Sequence, residues 1–162
     1  MNCVRSGGNI RPKAGFRCCM AEASEFKTAS GLGALHHIGL AANDRAAVVS
    51  LYRDLLGYEL SHVDDVPSQQ LEALVFGKGA ERIEVLIPRS ADSAVGRFLA
   101  KRGPGMHHLC YAVADLDAVI TKLVESGVQL TDTQPVQGLF GPVVFIHPKA
   151  AHGVMIELLQ PD

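Results

Sequence analysis

Four residues of this 162-residue chain have the types and spacing to hold a metal ion, and they come as two matched pairs. His37 opens the run HIGLAA, and Glu84 sits 47 residues on, in RIEVLIP. His108 opens HLCYAV, and Glu157 sits 49 residues on, in GVMIELLQ. Each histidine follows another histidine, and each glutamate is embedded in aliphatic residues. An unpaired buried carboxylate costs several kcal/mol, so a glutamate within such a run calls for a cation or must sit neutral. Two imidazoles and two carboxylates form a ligand set for one divalent ion, and a repeat that carries them implies two half-sites converging on one centre.

The elements that position these residues also repeat. HIGLAA alternates as a strand does, Asn43 or Asp44 is placed to cap the helix RAAVVSLYRDLL, and Gly57 stops it. Val48, Leu51, Tyr52 and Leu55 mark that helix's apolar face. YELSHV, LEALVFG and RIEVLIP follow as strands, the last two joined through Gly77 and Gly79. The second half repeats the order: HLCYAV, a helix LDAVITKLVESG capped by Asp115 and ended by Gly127, then VQLTD, PVVFIHP and GVMIELLQ. Both halves read β-α-β-β-β, with ADSAVGRFLAKRG as a linker helix whose Val95, Phe98 and Leu99 share a face. The repeats span 35–90 and 106–160 of a single α+β domain, 35–162.

Side chains on a strand alternate between faces. His37, Gly39 and Ala41 therefore oppose Ile38, Leu40 and Ala42, while Glu84 and Leu86 oppose Ile83, Val85 and Ile87. His108, Cys110 and Ala112 likewise oppose Leu109, Tyr111 and Val113, and Glu157 opposes Ile156 and Leu158. The aliphatic faces are expected against the helices and the four ligands on the concave side. By the same parity His36 and His107 read as peripheral, and His62, His147 and His152 as ordinary polar residues.

Bulk composition narrows the partners. No run of eighteen apolar residues is present, so no membrane-spanning helix is expected. Residues 1–34 hold five Lys/Arg against two Asp/Glu, and residues 35–162 hold ten against fifteen. A mildly acidic body argues against nucleic acid as partner. The four cysteines lack CxxC spacing, which points to a reducing compartment. The first twenty residues contain Arg5, Arg11, Lys13 and Arg17 and no acid, so residues 1–34 read as a basic tail and a candidate mitochondrial transit peptide, with a simple tail as the alternative.

The repeat with His and Glu on equivalent strands resembles the vicinal oxygen chelate superfamily. Within it, LHHIGLA, KRGPGMHHLCYAV and IHPKAAHGVMIELLQ are similar to the methylmalonyl-CoA epimerase family, over about residues 35–160. The resemblance implies two tandem βαβββ modules forming a curved eight-stranded mixed sheet with a concave metal cleft. It implies metal ligands at His37, Glu84, His108 and Glu157, and Co2+ as the expected ion with Mn2+, Ni2+ or Zn2+ as alternatives. It also implies proton removal and return at C2 of methylmalonyl-CoA through an enolate, with Glu157 and Glu72 as the catalytic carboxylates. Lys149 and Arg102 are the candidate contacts for the CoA phosphates, a homodimer is the expected assembly, and the mitochondrial matrix (otherwise the cytoplasm) is the expected location. HPKAAHG departs from the usual wording of that loop in the family. The competing expectations are a glyoxalase I-like lyase and a metal-free binding protein of the same fold.

Overall fold

A computed structural model describes residues 31–162, which form one curved mixed sheet of eight strands with three helices. Residues 1–30, most of the segment read as a transit peptide, lie outside the described residues. The first module comprises β1 (Leu32–Ala41), α1 (Arg45–Val49), β2 (Leu60–Val66), β3 (Leu71–Phe76) and β4 (Ile83–Pro88). Helix α2 (Ala94–Arg102) leads to the second: β5 (Gly105–Val113), α3 (Leu116–Glu125), β6 (Val136–Gly138), β7 (Gly141–Ile146) and β8 (Met155–Leu159). The strand order is β2-β3-β4-β1-β5-β8-β7-β6, so the two modules meet along the antiparallel β1–β5 seam.

Helix ends follow the sequence closely. Asp44 accepts a hydrogen bond from the Ala47 N–H at 3.0 Å, and Asp115 accepts one from Ala118 at 2.9 Å. Gly57 and Gly127, at φ 73° and 71°, take the left-handed conformation that ends the corresponding helix of each module. The two faces of the sheet also separate as alternation requires. Val49 of α1 packs with Leu74, Phe76, Val85 and Ile87, and Leu116 and Ile120 of α3 pack with Val113, Val144 and Leu158. Fully burying a side chain such as Phe76 contributes roughly 1.5–3 kcal/mol. On the opposite, concave face, Val95 and Leu99 of α2 pack on Ala41, Leu71, Ala73 and Leu86, with Phe98 beside them.

Three local features differ from the sequence expectation. Helix α1 continues as a π-helical turn, Ser50–Leu55, in which the Leu56 N–H donates to the Leu51 carbonyl five residues back. The wider turn keeps Val48 and Tyr52 against the core but leaves Leu51 and Leu55 45% and 76% exposed. VQLTD forms only a single bridge, Leu130 to Ile146. Its continuation is diverted by the Asp132 carboxylate, which accepts from the Gln134 N–H, and the edge strand is instead Val136–Gly138. Strand β1 starts at Leu32, which pairs with Val113 and packs in the α3 cluster, so the folded unit extends a few residues before position 35.

Candidate metal centre and cleft

The register brings the two His–Glu pairs together. Gly39, two residues beyond His37, pairs with Glu84 across the parallel β1–β4 ladder. Cys110, two residues beyond His108, pairs with Glu157 across β5–β8 in the same way. Each histidine and glutamate therefore project from one face of adjacent strands, and the β1–β5 seam joins the pairs.

All four side chains are buried. The Nε2 atoms of His37 and His108 lie 3.0 Å apart. Glu84 Oε2 is 3.3 Å from His37 Nε2 and 3.6 Å from His108 Nε2, while Glu157 Oε2 is 3.1 Å from His108 Nε2. Ligands bonded to one ion at about 2.0–2.2 Å, on neighbouring coordination positions, stand roughly 3 Å from one another, which matches these separations. The charges match as well: two carboxylates buried together leave a deficit that a divalent cation cancels. Burial, and then the neighbouring Glu84 carboxylate, push Glu157 up to about 7. Burial and the adjoining rings of His37 and His107 hold His108 well below its ordinary value, so it is neutral and able to ligate. Leu71, Leu86, Leu139, Phe140, Val143 and Phe145 line the surrounding cleft.

His36 and His107 are not peripheral. Each sits at a bulge in the β1–β5 ladder: the pairing steps from Leu35–Tyr111 to His37–Cys110 past His36, and from Gly39–His108 to Leu40–Met106 past His107. A bulge turns two successive side chains toward one side, which defeats simple alternation. His36 Nδ1 lies 2.9 Å from His37 Nδ1, and His107 Nδ1 lies 3.0 Å from His108 Nδ1. The repeated His-His dipeptide is the signal that would have found them. His36, His37 and Cys110 also cluster within 4.8 Å. Burial, and next Glu157, push the Cys110 thiol up, so it stays protonated at neutral pH and is a poor ligand. Gly39 has a task that sequence reasoning missed: a Cβ there would come within 2.5 Å of the His108 ring, so its bare backbone seats that ligand.

Residues 36–146 match the glyoxalase/bleomycin resistance protein/dioxygenase superfamily. The chain belongs to that superfamily. It is 34% identical to "Methylmalonyl-CoA epimerase, mitochondrial" of Mus musculus, over 85% of this chain and 80% of that protein. It is also 34% identical to "Ethylmalonyl-CoA/methylmalonyl-CoA epimerase" of Cereibacter sphaeroides, over 80% of this chain and 98% of that protein. The crystal structure of methylmalonyl-CoA epimerase from Mycobacterium tuberculosis superimposes with a TM-score of 0.78 at 34% identity, covering 83% and 91% of the two chains.

The remaining candidates of this superfamily member fall in two places. Lys149 and Arg102 line one cavity of about 520 Å³, together with Lys101, His147 and the edge of His107. Lys101 also lines the adjoining cavity of about 850 Å³, with Arg97 and His107, and neither Lys101 nor Arg97 stood out in the sequence. Glu72 lies apart from the His–Glu quartet. Alternation along β3 puts it with Leu74 and Phe76 on the helix side, opposite Leu71 and Ala73. There Arg45 donates to one carboxylate oxygen at 2.9 Å and Arg89 to the other at 3.3 Å. The two guanidiniums hold this carboxylate as an ion-paired clamp on that face.

Proposed function

We propose that this chain is a metal-dependent epimerase of methylmalonyl-CoA, acting at C2. The observation that carries the reading is the buried quartet of His37, Glu84, His108 and Glu157, with imidazole and carboxylate atoms 3.0–3.6 Å apart beside two cation-rimmed cavities. The two relatives described above carry that activity in their names. A divalent ion held by the quartet, with Co2+ the first choice and Mn2+, Ni2+ or Zn2+ the alternatives, supplies Lewis-acid stabilisation of enolate charge at the thioester.

The chain's own residues handle position and protons. Before an ion binds, burial and the neighbouring Glu84 raise Glu157 to about 7, and it is the candidate base for the C2 proton on its own face; inversion requires a second proton donor on the opposite face. Lys149, Arg102 and Lys101 offer ammonium and guanidinium groups to the CoA phosphates. A homodimer fits the exposed leucines at 51, 55 and 56, and light scattering decides the assembly. A mitochondrial location rests on the basic segment, and import of a reporter fused to residues 1–34 tests it.

The deciding experiment is solvent deuterium incorporation at C2 of methylmalonyl-CoA, with and without chelator. Deuterium should enter, stop on chelation and resume when a divalent ion is restored. Full exchange in stripped protein overturns the metal dependence, and no exchange under any loading overturns the epimerase reading. Glu72→Gln should keep both metal and turnover while losing about 1–3 kcal/mol of stability from the broken charge-assisted bonds. Lost turnover in a folded, metal-loaded Glu72→Gln protein would reinstate Glu72 as a base.

A further inference from the structure

The metal-centre reading accounts for His108 but not for the residue before it. His107 lines the central cleft and both larger cavities, yet it belongs to no ligand set. Its place is fixed from three directions. The bulge against Gly39 and Leu40 turns it toward the concave face, the Phe98 ring meets it edge-on with centroids 4.9 Å apart, and its Nδ1 stands 3.0 Å from His108 Nδ1.

That last contact constrains the protons. A neutral imidazole has one donor nitrogen and one acceptor nitrogen. For His108 to offer its Nε2 lone pair to the centre, its proton must sit on Nδ1, and a buried N–H there needs an acceptor. Among the described residues, the atom in reach is His107 Nδ1.

We propose that His107 is a positioning residue for the ligand His108, accepting the His108 Nδ1–H through its own Nδ1 and so fixing both ring orientation and tautomer. His107 then carries its own proton on Nε2, which makes no bond to a described residue and belongs to a ring that walls the cleft. This inference rests on the metal-centre reading, and its test separates the two.

The test is Co2+ and Zn2+ affinity, measured by competition with a chromophoric chelator, for wild type, His107→Phe and His107→Asn. Phe keeps a ring against Phe98 but offers no acceptor, and affinity should fall about 10- to 100-fold, the usual cost of losing an outer partner of a ligating histidine. Asn places a carbonyl oxygen near the lost Nδ1 and should recover most of that loss, together with the visible Co2+ spectrum of wild type. Wild-type affinity in His107→Phe overturns the inference, as does an Asn variant no better than Phe. Nitrogen-15 spectra of the Zn2+-loaded wild type test the same point without a variant. They should place protons on His108 Nδ1 and His107 Nε2, and the opposite His107 tautomer overturns the inference. A wild-type protein that binds neither ion overturns the centre itself.

Discussion

The two modules supply matching His–Glu pairs but surround them differently. In the second module His107 backs His108 and borders open cavities. In the first, His36 backs His37 at 2.9 Å, but its far side is closed by Arg82, whose NH1 group meets His36 Nε2 and whose guanidinium lies 4.9 Å from the Phe140 ring centre. A guanidinium only donates, so the hydrogen-bond network assigns the His36 lone pair to Nε2 and its proton to Nδ1, facing His37. Burial first, then Arg82, lower His36 to about 4. Repetition has thus made the inner contacts alike, while the outer ones have diverged into one sealed side and one side facing the cavities.

The largest expected effect compares residues at one register position. Gly39 and Cys110 both pair with a ligand glutamate, but Gly39 lies under the His108 ring, whereas Cys110 offers a thiol 3.5 Å from Glu157 Oε1. Gly39→Ala should displace His108 and lower metal affinity by more than about 100-fold, beyond the range seen for outer-partner losses. Cys110→Ala should cost about 1 kcal/mol of stability and less than about tenfold in affinity. Chelator competition and thermal melts of both variants check the pair, and equal effects would break the asymmetry.

A smaller effect concerns pH. Glu157, held up to about 7, must release its proton before it ligates, whereas His108 is held too low to hold one near neutrality. Apparent metal affinity should rise about tenfold per pH unit below 7 and level off above it. Metal titrations across that range check the slope, and Glu157→Gln should flatten it.

The smallest effect tests the sealed side. When His37 ligates through Nε2, its proton moves to Nδ1, which drives the His36 proton round to the nitrogen that faces Arg82. Arg82→Gln removes that opposing donor and a nearby positive charge, and should raise metal affinity by less than about tenfold. Unchanged or weaker binding would mean that the first module accommodates the ion without rearranging this contact.

The convergence of His37, Glu84, His108 and Glu157 was legible in the sequence because the parallel β1–β4 and β5–β8 ladders run in regular register beyond each histidine. His36 and His107 were not, since a bulge is a slip in hydrogen bonding that shifts parity without changing residue types. Plain alternation along β3 puts Glu72 with Leu74 and Phe76, a placement that the family resemblance, which implied a catalytic role, did not anticipate. Leu51 and Leu55 were misplaced because a π turn changes the helical period, which the spacing of apolar residues does not announce.

The seam between β1 and β5 has a mechanical consequence. Two of the four candidate ligands come from each side of it, so an ion held by all four would be a clasp closing one half of the protein onto the other. An ion that binds only the closed arrangement stabilises it by mass action, by about 2.7 kcal/mol at a free concentration one hundred times its dissociation constant. On the proposed reading, depletion of the ion would loosen the joint between the halves as it removed the Lewis acid, and fewer closed molecules would remain to recapture it.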